Sequence, residues 1–201
     1  MNITSCLLDV SNSRIIDGAP ISRRIGDRLK ERLWSDRQTP EVDTVVIHYI
    51  SAVNIDPRRK FDLDLVLRIF CDFEVSSHYL IARNGEAYRL VPEDKKAWHC
   101  GASIMPPPDL RRGVNDFSIG IELVATEKSG FTKKQYAALG SLCADIETRY
   151  AKKISYVGHA DIAGQSAVDL GLRTDVKTDP GNRFDWNVFK ALLGARKTSA
   201  R

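Results

Sequence analysis

Two histidines and one aspartate have the side-chain types that hold a metal ion for catalysis. His48 lies in the apolar run TVVIHYI and His159 lies near the end of the run ISYVGHA, and both runs predict buried strands. Asp179 lies in Lys-Thr-Asp-Pro-Gly, a turn that can aim a short carboxylate at a fixed point. Two imidazoles and one carboxylate form a usual catalytic zinc set, with a fourth position left for water or substrate. The alternative is two partly buried imidazoles satisfied by hydrogen bonds, and the spacing of the three residues does not decide between these interpretations.

A glutamate and a lysine could work beside such a metal ion. Glu122 interrupts the apolar run FSIGIELVA (117–125), and a charge inside a central strand is costly unless it is paired or functional. The functional interpretation is a general base in a desolvated pocket, and the alternative is a carboxylate on an edge strand that faces water. Lys177 precedes Asp179 by two residues, so its ammonium can stabilise an oxyanion there, or it is simply a solvated lysine.

The elements that must position these residues alternate along the chain. Apolar runs predict strands at 44–50, 117–125 and 154–160, and a hairpin whose arms at 76–82 and 86–91 flank Asn84-Gly85. Helical spacing predicts helices at 61–73, opened by Asp56-Pro57, at 131–150, capped by Thr132, and at 186–197. The segment 21–34 also fits a short amphipathic helix. This order predicts an α/β fold with a mixed central β-sheet flanked by helices.

Composition excludes several classes of protein. The chain has 201 residues, 43% of them hydrophobic and 28% charged, which favours one globular domain over disorder, collagen or coiled coil. No run of apolar residues is long enough to predict a membrane span. The formal charge of +4 is dispersed along the chain, so we expect no nucleic-acid partner.

Cysteine usage bears on the compartment. There is no C-x-x-C pair, so the cysteines are predicted to be reduced thiols: Cys6, Cys71, Cys100 and Cys143. The first residues show neither a basic start nor an apolar stretch typical of a secretory signal. We therefore expect a cytoplasmic location, with a periplasmic or exported one as the alternative.

Six motifs in one order resemble a known family: VVIHY, SSHYLI followed by Gly85, DKKAWHCG, NDFSIGIEL, GHADIA, and KTDPG with FDW. Over about residues 42–190 the chain resembles the zinc-dependent N-acetylmuramoyl-L-alanine amidases of the type-2 amidase family. It is most similar to the cytoplasmic branch that recycles 1,6-anhydromuropeptides, because related phage amidases and animal peptidoglycan-recognition proteins usually carry cysteine where Asp179 stands. The resemblance implies a peptidoglycan-recognition-protein-like fold, with an N-terminal extension (1–40), a catalytic domain (41–195) and a tail (196–201).

The resemblance also implies an activity and its residues. The family's zinc ligands fall on His48, His159 and Asp179, its catalytic carboxylate on Glu122 and its transition-state lysine on Lys177. The implied reaction hydrolyses the amide between N-acetylmuramic acid, in its 1,6-anhydro form, and L-alanine of a muropeptide. Substrate contacts are expected from Trp98, His99, Arg111, Arg112 and Asn115.

The chain departs from the family pattern at the peptide-binding positions. Glu74 and Gly113 stand where family members have arginines that bind stem-peptide carboxylates, and Arg111 or Arg112 is close enough in sequence to replace the second. The segment 164–176 is about ten residues longer than in compact recycling enzymes, so one wall of the site should differ, and the segment could act as a lid.

Other functions stay open at this point. The chain could be a phage-type or exported amidase that degrades polymeric peptidoglycan. It could also be a non-catalytic muropeptide sensor, although loss of the zinc set would mark that role. His78 and His99 are either structural or, for His99, part of the substrate groove. The sequence does not fix stem-peptide preference or oligomeric state.

Overall fold

The computed structural model of the protein describes residues 2–8 and 33–199, so the predicted helix at 21–34 lies almost wholly outside the described residues. The described strands are β1 (Ile3–Ser5), β2 (Trp34–Asp36), β3 (Thr44–Ile50), β4 (Tyr79–Ile81), β5 (Ala87–Arg89), β6 (Lys95–Ala97), β7 (Ser118–Val124) and β8 (Ser155–Gly158). Six of them form one sheet in the order β1-β5-β4-β7-β3-β8, and β2 pairs with β6.

The main sheet is mixed, as predicted. Strands β4, β7, β3 and β8 run parallel, β5 is antiparallel to β4, and β1 is parallel to β5. Strands β1 and β2 come from residues that the sequence assigned to an N-terminal extension, and β1 forms the edge of the main sheet. Residues 3–5 therefore belong to the main sheet although they precede the predicted boundary at residue 40.

The described helices are α1 (Leu63–Asp72), α2 (Lys133–Tyr150), α3 (His159–Ala163), α4 (Gln165–Asp169) and α5 (Trp186–Ser199). Asp62 caps α1 through Leu65 N–H, whereas the predicted opening at Asp56-Pro57 instead begins a short 3₁₀ turn. His159 is the first residue of α3 and not the end of a strand. Helix α4 lies inside the longer segment 164–176. None of the helices in the described residues is both long and apolar enough to cross a membrane.

Helix α2 begins and packs as its sequence predicts. The Thr132 hydroxyl accepts from Gln135 N–H at 3.1 Å, and the Gln135 side chain accepts from Thr132 N–H at 3.0 Å, which forms a capping box. The apolar stripe of this helix is buried: Tyr136, Leu139, Leu142, Cys143 and Ile146. It packs on one face of the sheet together with α5. Each fully buried aliphatic side chain contributes roughly 1.5–3 kcal/mol to this layer.

The hairpin of β4 and β5 requires its glycine. Gly85 has φ +87°, and a Cβ there would lie 2.9 Å from the Lys134 carbonyl oxygen at the start of α2. The turn therefore needs both the left-handed backbone and the missing side chain.

The two faces of the central strands differ. Odd-numbered side chains of β3 and β7, such as Ile47 and Ile121, join the core under α2 and α5. Because side chains alternate along a strand, His48 and Glu122 lie on the opposite face. That face is only partly covered by α1, so the two polar side chains border open space.

Candidate active site

The carboxyl ends of three parallel strands bring the site together. His48 on β3 is in register with Glu122 on β7, and Ile47 is in register with Gly158 at the end of β8. His159 follows Gly158 directly, so its ring reaches the His48 ring, with 4.6 Å between the ring centroids. Ligand sites form at this edge of parallel sheets because the loops that leave it surround a crevice.

Asp179 is held against these histidines by backbone hydrogen bonds. Ala160 N–H donates to the Asp179 carbonyl at 2.8 Å, and Lys177 N–H donates to the Ala163 carbonyl at 3.0 Å. The carboxylate then reaches both rings, with Oδ2 at 3.0 Å from His48 Nδ1 and Oδ1 at 3.1 Å from His159 Nδ1. Burial would raise the pKa of Asp179, but the contacts with His159 and His48 hold it well below its usual range.

The hydrogen bonds on the far side of the rings show why a cation fits here. His159 Nε2 lies 3.2 Å from the Cys100 carbonyl oxygen, which can only accept, so Nε2 carries the hydrogen. In the neutral ring Nδ1 then turns a lone pair toward the Asp179 oxygens. A second proton on this ring or a metal ion relieves that repulsion. Burial lowers the pKa of His48, which disfavours two charged rings around one carboxylate.

The spacing of the three donors also suits zinc. In a tetrahedral site with ligand distances of about 2.0–2.1 Å, ligand atoms are roughly 3.3 Å apart. The two nitrogens lie 3.0–3.2 Å from the Asp179 oxygens, and all three ligand atoms lie within 4.8 Å of one another. The residues present therefore fit a divalent ion with nitrogen and oxygen ligands.

His99 supports His48 from behind. His48 Nε2 lies 3.1 Å from His99 Nδ1, and His99 Nε2 lies 3.3 Å from Ser118 Oγ. If His48 Nε2–H donates to His99 Nδ1, then His99 Nε2–H donates to the serine, and His48 Nδ1 keeps its lone pair for the metal. Gly120 makes room for this ring, since a Cβ there would lie 2.5 Å from His99 Cγ.

The same ring also contacts a thiol. Cys100 Sγ lies 3.0 Å from His99 Nδ1, so these two groups and His48 Nε2 form a second set of potential metal ligands within 4.8 Å. The hydrogen bond between the His48 and His99 rings explains why these groups lie close together without a second metal ion. All four cysteines are free thiols, as predicted.

Glu122 is buried on a central strand, so it is not the water-facing edge carboxylate of the alternative interpretation. The residue is 9% exposed, and among the described residues its Oε2 has no hydrogen-bond partner. Burial, and to a smaller extent the charge of Asp179, raises the pKa of Glu122 well above its usual value. A buried carboxyl oxygen left without a partner beside a candidate metal centre is available for proton transfer.

These groups line one open cavity of about 530 Å³. Three of the predicted substrate contacts lie on its wall, Trp98, His99 and Asn115. Lys177 also lines it, with Nζ 3.0 Å from Asp175 Oδ2.

The two predicted arginine contacts lie elsewhere. Both Asp43 and Asp109 bind the Arg111 guanidinium, which stacks 3.9 Å from the centre of the Phe117 ring. Arg112 is exposed, with its backbone paired to Ile104. Neither arginine lines the cavity, because local ion pairing and the loop backbone turn them away from it.

His78 is structural. Its Nδ1 accepts from Gly120 N–H at 3.0 Å, and its Nε2 lies 3.0 Å from the Lys95 carbonyl oxygen and 2.9 Å from Arg37 Nη2. Burial, with a smaller contribution from the nearby Arg37 charge, lowers the pKa of His78 to about 3. The ring is therefore a neutral spacer between strands and not a ligand.

Sequence reasoning missed two arginines. The Arg37 guanidinium donates to four backbone carbonyls, those of Glu93, Asn115, Asp116 and Ser118. It thereby fixes the segment whose Asn115 side chain accepts from the backbone N–H groups of His99 and Cys100. Arg173, in the segment 164–176, lines the cavity. In the sequence, only its position four residues before Lys177 indicated that Arg173 could lie near the site.

A mixed sheet that gathers two imidazoles, a carboxylate and a buried glutamate at its parallel edge is an arrangement typical of metal-dependent hydrolases. The chain belongs to the N-acetylmuramoyl-L-alanine amidase family, which it matches over residues 37–182. The resemblance carried by the six motifs, and the fold it implied, are thereby confirmed.

Individual relatives are similar over different spans. The 1,6-anhydro-N-acetylmuramyl-L-alanine amidase AmpD of Citrobacter freundii is 42% identical over 120 residues, 59% of this chain and only 57% of that protein. AmpD of Haemophilus influenzae is 34% identical over 170 residues, 78% of this chain and 85% of that protein.

A solved structure shares the fold as well. The amidase AmiD from Escherichia coli, in complex with the substrate anhydro-N-acetylmuramic acid-L-Ala-D-gamma-Glu-L-Lys, aligns with a TM-score of 0.59 at 33% identity. The alignment covers 83% of this chain and 63% of AmiD.

Proposed function

We propose that this chain is a zinc-dependent amidase that cuts muropeptides between N-acetylmuramic acid and L-alanine. The substrate we assign is the soluble 1,6-anhydro form, which places the reaction in peptidoglycan recycling. The observation that carries the proposal is the convergence of two imidazole Nδ1 atoms, the Asp179 carboxylate and the unpartnered Glu122 in one cavity. The names of the AmpD relatives and the substrate in the AmiD complex support the choice of bond.

His48, His159 and Asp179 would hold the zinc ion. When bound there, zinc supplies Lewis-acid polarisation of the scissile carbonyl and lowers the pKa of water at the site. His99 beside His48, and the Cys100 carbonyl beside His159, preset the ring orientations. With an Nε2–H donating in each ring, both Nδ1 atoms are left unprotonated for the metal.

Glu122 acts as general base and then as general acid. Its free Oε2 takes a proton from the attacking water while the water oxygen forms a bond to the carbonyl carbon. When the carbon–nitrogen bond breaks, the same carboxyl returns the proton to the L-alanine nitrogen. A carboxyl whose pKa is raised by burial suits both directions of transfer near neutral pH.

Lys177 stabilises the oxyanion that forms on the carbonyl oxygen. Its ammonium lies on the cavity wall two residues from Asp179, and its backbone is fixed by the hydrogen bond to Ala163. A positive charge held where negative charge develops lowers the barrier more than it strengthens substrate binding. Trp98 offers an aromatic surface on the same wall for the sugar or the peptide.

We also propose a cytoplasmic location. Four free thiols, three of them buried, suit a reducing compartment. Soluble 1,6-anhydromuropeptides are the substrate expected there, whereas intact wall polymer is the substrate of the exported alternative.

Mass spectrometry of digests tests the proposal. The protein is incubated with 1,6-anhydro-N-acetylmuramoyl-tripeptide or with intact sacculi, alongside Glu122→Gln and the exposed control Glu41→Gln. We expect free peptide with an L-alanine amine from the soluble substrate, and a loss of about 10²–10⁴ in kcat for Glu122→Gln alone. Release from sacculi instead would assign the protein to the wall. Cleavage of neither substrate by the zinc-loaded protein would leave the muropeptide sensor as the better account.

A further inference from the structure

Part of the positive charge on the cavity wall comes from the segment 164–176. Among the residues that line the cavity, Arg173 and Lys177 are the two permanently cationic side chains. Lys177 is already assigned to the reacting carbonyl. Arg173 lies in the segment 164–176, after α4, and has no role in the hydrolysis derived above.

Arg173 is fixed in place on one edge of its guanidinium. Its Nε–H donates to the Asp175 carbonyl at 2.6 Å, and Nη2 donates to the Asp175 carboxylate at 3.0 and 3.1 Å. A longer contact of 3.4 Å joins Nη1 to the Ala102 carbonyl. The side chain is only 10% exposed, so the group is held in a defined orientation at the cavity.

These contacts leave part of the guanidinium free. A guanidinium has five N–H donors, and Nε and Nη1 each use one of theirs in these contacts. Nη2 contacts both oxygens of the Asp175 carboxylate, and because these lie on the same side of the nitrogen, one N–H faces both of them. One N–H on Nη1 and one on Nη2 therefore have no partner among the residues that the structure describes. Such a pair of parallel donors matches the two oxygens of a carboxylate.

The substrate class provides a carboxylate near the scissile bond. In a stem peptide that begins L-Ala-D-γ-Glu, the glutamate is linked through its side chain, so its α-carboxylate is free. This carboxylate belongs to the residue directly after the alanine whose amide is cut. The two groups are therefore one residue apart in the substrate, and Lys177 and Arg173 both line the cavity that would hold them.

We propose that Arg173 binds the free α-carboxylate of the second stem-peptide residue and makes this enzyme selective for stems that carry it. The inference rests on the proposed function, since it requires that a muropeptide occupies the cavity. It gives the segment 164–176 a role in substrate specificity.

Two substrates that differ in one group test the proposal. The first is 1,6-anhydro-N-acetylmuramoyl-L-Ala-D-γ-Glu-L-Lys, and the second has the same α-carboxylate converted into a primary amide. For the wild-type protein we expect kcat/KM to fall by at least about tenfold on amidation, as for a lost charge-assisted hydrogen bond. For Arg173→Gln we expect both substrates to be cut at the rate of the amidated one, with Arg173→Lys intermediate.

Arg112→Gln is the matched control, because Arg112 is an exposed arginine that does not line the cavity. It should preserve the wild-type preference. The proposal is overturned if the wild-type protein cuts both stems equally, or if Arg173→Gln keeps the preference. An equal loss on both stems in Arg173→Gln also overturns it, because the role is then structural. If the wild-type protein cuts neither stem, the proposed function itself fails.

Discussion

Replacing Gly120 with alanine should weaken zinc binding without touching a ligand. The new methyl would lie 2.5 Å from His99 Cγ and 2.6 Å from His99 Nδ1. Because non-bonded carbon atoms approach to about 3.5 Å, the ring must retreat by roughly 1 Å. The 3.1 Å contact between His48 Nε2 and His99 Nδ1 then exceeds hydrogen-bond range.

The loss of zinc affinity can be estimated from this one hydrogen bond between His48 and His99. Leaving the buried His48 N–H without its acceptor costs about 1–3 kcal/mol, and changes behind a metal ligand typically cost 10–100-fold in metal affinity. We therefore expect Gly120→Ala to raise the zinc Kd about 10–100-fold. Overpacking should also lower the free energy of unfolding of the chelated protein by about 1–3 kcal/mol.

Competition with a chromophoric chelator measures the zinc Kd of Gly120→Ala, His99→Ala and the double variant. In the His99→Ala background the methyl meets no ring, so Gly120→Ala should add little to either the Kd or the unfolding free energy. Gly194→Ala, where the Cβ meets nothing within 4 Å, is the control and should leave zinc binding unchanged. Equal effects of Gly120→Ala in both backgrounds, or an unchanged Kd in His99→Ala, would refute the reasoning.

Two further predictions concern Lys177 and His78. Lys177→Met should lower kcat about 10²–10³-fold with little change in KM, as for a lost oxyanion donor. Its exposed ion pair with Asp175 contributes at most about 1 kcal/mol to stability. An unchanged kcat in steady-state kinetics would contradict this role. His78 has a pKa of about 3 in the folded chain, so below pH 6.5 the unfolded chain binds a proton that the folded chain does not. Stability from the neutral ring is therefore complete above pH 6.5 and is lost as the pH falls toward 3. Urea unfolding of the chelated protein measures the free energy of unfolding at pH 7 and at pH 5. Between these pH values His78→Asn should lose about 2 kcal/mol less of it than the wild type. Equal losses would show that His78 is charged in the folded state.

The central strands and the polar residues within them could be predicted because their signals are local. The runs around His48 and Glu122 are β-branched and apolar, and a carboxylate within such a run indicates either an edge or a function. The spacing of Thr132 and Gln135 alone indicates the start of a helix.

Other features depend on partners far away in the sequence. Strands β1 and β2 have three residues each and are strands only because β5 and β6 pair with them. The carbonyls bound by Arg37 lie 56–81 residues away, so no local pattern marks this arginine. The start of α3 had a signal that was overlooked, since the Asp161 carboxylate accepts from Gly158 N–H three residues earlier.

The substrate contacts were hardest to place. Arg111 is near the family's arginine position in sequence, yet Asp43, 68 residues away, binds its side chain outside the cavity. Arg173 reaches the cavity from the segment 164–176, whose path the sequence does not reveal. Long flexible side chains take their direction from tertiary partners, whereas strand histidines take theirs from the backbone.

A zinc titration of the chelated protein tests the central claim most directly. Release of peptide with an L-alanine amine from 1,6-anhydro-N-acetylmuramoyl-tripeptide is followed as zinc is added, with Asp179→Ala in parallel. The account predicts no release without zinc, a linear rise that stops at one equivalent, and no recovery by Asp179→Ala at that level. Full activity in the chelated protein, or equal recovery by Asp179→Ala, would contradict it.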